Sequence, residues 1–157
     1  MTCDQIVATA TMLKREHGID ILFIDHIQLV KPYELPHSNR NNTLAVYSQT
    51  ICALAKTLDI PIICLSQLSR APEQGNRKPK LSDLRDSGTL EQDARQVLLL
   101  YRENEKFQLE VAKNNFGVSG KAVELKRIDG KQRFEEASPA RKYAEEAKTQ
   151  ADRKSVV

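Results

Sequence analysis

Residues Ile19 to Leu29 read IDILFIDHIQL, in which an apolar run, Ile21 to Ile24, leads straight into a carboxylate, Asp25. A short apolar run of this kind predicts a strand buried on both faces of a parallel α/β sheet. The C-terminal ends of such strands line the ligand crevice, so a carboxylate there lies where a phosphate-bound metal would sit. In that arrangement Asp25 occupies a Walker B position and helps to hold Mg²⁺. Strands of α/β proteins also end in Asp for solubility or to cap the next helix. This stretch alone leaves both readings open.

Upstream, Thr2-Cys-Asp-Gln5 has capping-box spacing, and Ile6, Ala10 and Leu13 share one helical face before Lys14, Arg15, His17 and Gly18. A helix that feeds directly into a buried strand implies an earlier strand as its partner, so truncation on the N-terminal side is expected. Downstream, Lys31 to Asn42 carries two prolines and three asparagines and reads as a long loop. Thr43 to Asp59 then repeats apolar residues at helical spacing: Leu44, Tyr47, Ile51, Leu54, Ala55 and Leu58. Pro61 to Leu65 is a second buried strand that ends in Ser66-Gln67. Strand, crossover helix and parallel strand bring Asp25 and Gln67 out on the same edge of the sheet.

At that edge the Gln67 amide can bond the terminal phosphate of a nucleotide, or the water attacking it, and report hydrolysis to the next segment of chain. It can equally be a polar residue leaving a strand. The next segment, Leu68 to Gly88, carries Arg70, Arg77, Lys78, Lys80 and Arg85 against Glu73, Asp83 and Asp86. A basic loop punctuated by Gly and Pro suits a single strand of nucleic acid, whose phosphates attract Lys and Arg. A solvated charged loop is the alternative.

The whole chain bounds these local readings. With 157 residues, 40% hydrophobic, 29% charged and 5% aromatic, it is long enough to bury a core as one soluble domain. A net charge of +3 is too mild to imply nucleic acid by itself, so the clustering of charge matters more than its sum. Cys3, Cys52 and Cys64 lack metal-ligand spacing and read as reduced thiols. No stretch looks like a secretory leader or a bilayer-spanning helix, so a cytoplasmic protein with no membrane partner is expected.

Four stretches together carry a family resemblance: Leu22-Phe-Ile-Asp-His-Ile-Gln28, Leu54-Ala-Lys-Thr-Leu58, Leu65-Ser-Gln-Leu-Ser-Arg70, and Leu81-Ser-Asp-Leu-Arg-Asp-Ser-Gly-Thr-Leu-Glu-Gln-Asp-Ala94. In order, spacing and wording they resemble the RecA-type motor domain of the DnaB family of replicative DNA helicases, over roughly residues 1 to 136. The resemblance implies a RecA-like α/β core of the P-loop NTPase type, with a parallel sheet and a C-terminal β-hairpin extension. It implies ATP and Mg²⁺ as ligands, single-stranded DNA as partner, and a homo-hexameric ring binding ATP between subunits. Asp25 resembles the Walker B metal residue. Gln67 resembles the phosphate-sensing, catalytic glutamine, and Arg85, Asp86 and Gly88 resemble the loop that grips DNA. His26 stands where the family usually has Tyr, and is read as a swap pointing to the opposite face of the strand. Arg95 stands where an acidic residue is common.

Beyond the loop, Thr89-Leu-Glu-Gln92 offers a second capping-box spacing, and Val97 to Tyr101 reads as a further buried strand continuing the sheet. Phe107, Leu109 and Val111 alternate with polar residues, Asn114 to Gly120 turns the chain, and Val123 and Leu125 alternate back as a hairpin. Ile128-Asp129-Gly130-Lys131 signals a tight turn before a last strand ending near Phe134. By resemblance, Lys113 fits the hairpin lysine that reaches a neighbouring subunit's nucleotide in trans. The arginine expected two residues later is Asn115, which supplies no positive charge. Gly117 to Lys121 lacks full P-loop spacing and reads as a turn, and no other stretch of the 157 residues fits that pattern.

The expected organisation is a partial motor domain over 1–136 without its P-loop or catalytic glutamate, then a charged tail over 137–157, helical or disordered. Two functions are consistent with it: part of an ATP-dependent helicase that unwinds duplex DNA while moving on one strand, or a catalytically inactive remnant that binds DNA or associates with intact subunits. In either case the isolated chain is expected to be inactive.

Overall fold

The computed structural model describes residues 1–31, 40–84 and 88–137, with side chains from 43 onward in the second helix. Arg85, Asp86 and nearly all of the 137–157 tail lie outside these residues, as does most of the Lys31 to Asn42 loop. The chain divides into two compact units, Met1–Val97 and Leu98–Val157.

The first unit opens with helix α1, Cys3–His17. Its capping box is made as the spacing predicts: Gln5 N–H donates to Thr2 Oγ1 at 3.3 Å, and Thr2 N–H donates to Gln5 Oε1 at 2.9 Å. Gly18 ends the helix with φ 64°, a left-handed conformation in which a Cβ is disfavoured. Strand β1, Leu22–Ile24, comes next and pairs in parallel with β2, Ile62–Cys64, in the register Leu22 to Ile62 and Ile24 to Cys64. The crossover between them includes helix α2, Arg40–Leu58. Left-handed Asp59 (φ 51°) closes α2, and Ile60 N–H donates back to Ala55 O at 3.3 Å.

The core of this unit explains the order of the elements. Cys3 and Ile6 from α1, Ile24 and Ile27 around the end of β1, and Leu44, Tyr47 and Ile51 from α2 form one cluster. Ala10, Leu54, Leu58 and Ile60 form a second, and Leu22 and Ile62 pack against both. The tyrosine hydroxyl is satisfied by donating to Lys31 O at 2.7 Å. Only one face of the parallel pair is buried, however: Phe23 and Ile63 are exposed, contrary to the expectation of strands covered on both sides. All three cysteines are free thiols, and burial pushes Cys64 up to about 11.

After β2 come a short helix α3, Ala71–Gln74, a 3-10 turn, Leu81–Asp83, and helix α4, Gly88–Asp93. Because α4 begins at Gly88, Thr89 lies inside the helix rather than capping it. Leu90 packs against the first cluster.

Strand β3, Gln96–Glu103, corrects the expectation that the sheet simply continues. It belongs to a separate four-stranded sheet in the order β3-β4-β5-β6, with β4 Lys106–Asn114, β5 Ala122–Arg127 and β6 Phe134–Glu136. The local connection decides this. Asn104 and Glu105 both take positive φ, 48° and 65°, which matches the twist of a two-residue hairpin turn and folds β3 back on β4. β4 and β5 pair antiparallel with Phe107 opposite Leu125 and Leu109 opposite Val123, as the alternation predicts. The last strand begins at Phe134 rather than ending there, and the Phe134 ring stacks edge-on to Phe107 with centroids 5.0 Å apart.

Candidate functional site

The parallel register places Asp25 one residue past the end of β1 and Leu65, Ser66 and Gln67 just past the end of β2, at the same end of the sheet. The ladder is extended there by Leu65 N–H donating to Ile24 O at 2.9 Å and Ile27 N–H donating to Leu65 O at 3.0 Å. Gln28 then bridges the two strand ends. Its amide Nε2 donates to Ser66 Oγ at 2.9 Å, and its Oε1 accepts the Gln67 N–H at 3.2 Å. In the sequence Gln28 is only one letter of a motif; its role as the link between the residues after Asp25 and the backbone of Gln67 emerges from the three-dimensional contact.

Asp25 is open to solvent, with its side chain 78% exposed, and His26 Nδ1 lies 3.6 Å from its carboxylate. Both residues line a cavity of about 390 Å³ between α1, β1 and the segment through Val30. The alternation expected to carry His26 to the opposite face does not apply, because the strand ends at Ile24. Among the described residues no group of three His, Cys, Asp or Glu side chains is placed to hold a metal ion. A lone accessible carboxylate still fits Mg²⁺, which keeps several waters and is commonly bound through one or two carboxylates plus substrate phosphates.

The loop after Gln67 is folded rather than splayed. Leu68 and Leu84 form an antiparallel bridge, and Ser69 N–H donates to Asp83 O at 2.8 Å. Gln67 therefore immediately precedes a closed stem. Inside it, Asp83 is 4% exposed and receives both guanidinium nitrogens of Arg77 at 2.7 Å and the Lys80 N–H at 2.7 Å. Arg77, one of the basic residues that the sequence offers to nucleic acid, is thus engaged internally. Its two hydrogen bonds, followed by the one from Lys80 N–H, hold the Asp83 carboxyl at about 2, well below the usual range.

That shift fixes a pH dependence. A carboxyl with a lowered folded-state value stabilises the fold above its unfolded value and loses that contribution as pH falls through the folded one. Wild type should therefore melt several degrees above Asp83→Asn near neutral pH. The gap should close between pH ~4 and ~2. Thermal melts across that range check this; a gap independent of pH would mean that the carboxylate charge is not what holds the loop.

Gly88 opens α4, and a Cβ there would meet nothing within 4 Å, so packing within the described residues does not demand glycine. In the second unit Lys113 is half-buried near the end of β4, while Asn115 is exposed at the start of the turn. Asn114 shapes that turn by accepting the Phe116 N–H at 3.0 Å.

A parallel strand pair joined by a crossover helix, together with the solved structures it superposes on, gives the class: an α/β protein with a RecA-like core. The comparisons then give the family, because the profile of the DnaB-like helicase C terminal domain matches residues 1–136, and the chain belongs to that family. It is 47% identical over 104 residues to the replicative DNA helicase DnaB of Rickettsia prowazekii (strain Madrid E), covering 66% of this chain and 21% of that protein. It is 45% identical over 109 residues to a probable plasmid replicative DNA helicase of Chlamydia trachomatis serovar L2, covering 68% of this chain and 24% of that one. A solved ATPase domain superposes with TM-score 0.77 at 34% identity, over 85% of this chain and 51% of that domain. A solved DnaB-like replicative helicase, studied for its interactions with primase, gives TM-score 0.74 at 35% identity, over 82% of this chain and 33% of that one. The chain thus spans about a fifth to a quarter of the curated relatives it matches. No helix among the described residues is long and apolar enough to cross a membrane.

Proposed function

We propose that this chain is part of an ATP-dependent replicative DNA helicase that separates duplex DNA while moving along one strand. Residues 1–136 form part of the motor domain, and 137–157 are a charged tail. The observation that carries the reading is the placement of Asp25 and Gln67 at one end of the parallel pair, where the side chain of Gln28, three residues after Asp25, bonds the Ser66 hydroxyl and the Gln67 N–H. Asp25 would hold Mg²⁺, which neutralises charge on the nucleotide phosphates when bound. Gln67 is the catalytic glutamine in this reading: its amide donates to the terminal phosphate or orients the attacking water. Gln67 directly precedes the Leu68–Leu84 bridge, so a shift of Gln67 on hydrolysis moves that bridge and the chain that follows it. Arg85, Asp86 and Gly88 are the DNA-binding residues of this reading, Arg85 supplying positive charge to phosphate. Lys113 serves a neighbouring subunit's nucleotide in a homo-hexameric, cytoplasmic ring.

In a second reading these 157 residues, which carry no P-loop spacing of their own, bind DNA or associate with intact helicase subunits without hydrolysing ATP themselves. Both readings give an isolated chain without ATPase activity.

Fluorescence anisotropy with labelled single-stranded DNA tests the shared part. Affinity should fall steeply with salt, each phosphate contact adding about 0.7 to the logarithmic slope. Arg85→Ala should weaken binding alike on all sequences, because phosphates carry no base identity. Gly88→Ala should weaken binding about threefold or more without loss of stability, since alanine is the better helix former by about 1 kcal/mol. Affinity insensitive to salt and to both substitutions would remove this loop from DNA binding.

A further inference from the structure

Three parts of the loop after Gln67 converge on one residue, Asp83. Its carboxylate accepts both guanidinium nitrogens of Arg77, each at 2.7 Å, and the Lys80 N–H at 2.7 Å. Its backbone carbonyl accepts the Ser69 N–H at 2.8 Å, beside the Leu68–Leu84 bridge. The start, the middle and the end of the segment are thereby tied together, through a side chain 5% exposed where that of Arg77 is 37% exposed. Regular structure alone would not hold this shape: between the bridged leucines lie the four residues of α3 and one 3-10 turn. Pro72 and Pro79 are buried in the same segment, whereas Arg70, Lys78 and Lys80 are exposed on it.

An arginine held in such a fork offers little to a phosphate. Its charge is cancelled by the carboxylate against it, and two of its donors are already used. We propose that Arg77 and Asp83 are positioning residues of the DNA-binding loop: their fork fixes the shape of residues 68–84 before DNA arrives, so that the remaining cations meet phosphate without first being ordered, and neither side chain touches DNA. This role rests on the DNA-binding reading above. A segment that must order itself on binding loses affinity by a factor of roughly two to ten for each long side chain immobilised. The two possible roles of Arg77 predict opposite signs for one substitution. Asp83→Asn removes a negative charge from a basic segment and releases Arg77, so it would tighten binding if Arg77 were a phosphate ligand in waiting. If the fork positions the loop, the same substitution weakens binding.

The test is anisotropy with labelled single-stranded DNA on the full 157-residue chain, comparing wild type with Asp83→Asn, Arg77→Lys and, as a control for lost stability, Leu54→Val in the second core cluster. Each protein is measured well below its melting temperature. Asp83→Asn and Arg77→Lys should each weaken binding about two- to tenfold. The first does so despite its added net charge, and the second despite its retained one, because a lysine cannot form the fork. The salt slope should keep its wild-type value in both, whereas Arg85→Ala should lower it by about 0.7. Leu54→Val should leave affinity unchanged. Hydrogen exchange without DNA supplies a second readout: the Ser69 and Lys80 amides, protected in wild type, should exchange faster in both loop variants. Either loop variant binding DNA as tightly as wild type or more tightly, or with a lowered salt slope, overturns the inference and leaves the DNA-binding reading in place. A loss of affinity matched by Leu54→Val overturns it too, since the effect would then be one of stability. A wild-type chain that binds no single-stranded DNA removes the DNA-binding reading and this role together.

Discussion

Asn115→Arg, in a ring where residues 20–134 are grafted onto an upstream half bearing a P-loop and catalytic glutamate, raises ATPase turnover. Arginines that act across a subunit boundary stabilise charge on the transferring phosphoryl group and are worth about 10³ to 10⁵ in rate. Asn115 supplies no charge, and the half-buried Lys113 two residues earlier supplies one. A gain of about 10 to 10³ is expected, because a misplacement of about 1 Å at a grafted interface costs on the order of a hundredfold. Steady-state turnover is measured after sizing has established that the ring has assembled. An assembled ring whose turnover is unchanged would mean that the turn after β4 does not face a neighbour's nucleotide.

The second large effect is structural. Ile27 is 1% exposed, lies in the first core cluster, and its N–H continues the ladder to Leu65 O just beyond Asp25. Truncating such a side chain removes its burial and leaves a cavity, so Ile27→Ala should cost about 2–5 kcal/mol, and Ile27→Val about 0.5–1.5 kcal/mol. Since domains of this size are stable by only about 5–15 kcal/mol, the alanine variant should be largely unfolded in mild denaturant. Urea unfolding followed by circular dichroism measures both; an alanine variant within about 0.5 kcal/mol of wild type would contradict the central place given to this residue.

What the sequence reveals and what it hides have physical causes. The strand at Leu22 and the helix through Ile51 are legible because period and burial coincide there, and the capping box at Thr2 is legible because its two hydrogen bonds depend only on local spacing. The exposure of Phe23 and Ile63 is not, because an apolar run reads the same whether its second face is covered or bare. The hairpin turn at Asn104–Glu105 pairs Asn with Glu rather than with glycine and so gives only a weak turn signal, which is why the pattern alone puts β3 in the wrong sheet. Gln28 and Asp83 act on partners brought near by folding: Ser66 and Gln67 in one case, and the Arg77 fork closing over the carboxylate in the other. A count of charges makes Arg77 available to DNA, whereas the fold shows its guanidinium already engaged.

The convergence of Asp25 and Gln67 on one ligand is tested most directly by titrating a fluorescent ATP analogue, with and without Mg²⁺, into three proteins: the isolated chain, the graft with a P-loop half, and the graft carrying Asp25→Asn. The expected result is no saturable micromolar binding to the isolated chain, Mg²⁺-enhanced binding to the graft, and loss of that enhancement in Asp25→Asn. Mg²⁺-enhanced binding to the graft that survives Asp25→Asn unchanged would contradict the assignment of the β1 end as the metal side of a nucleotide site.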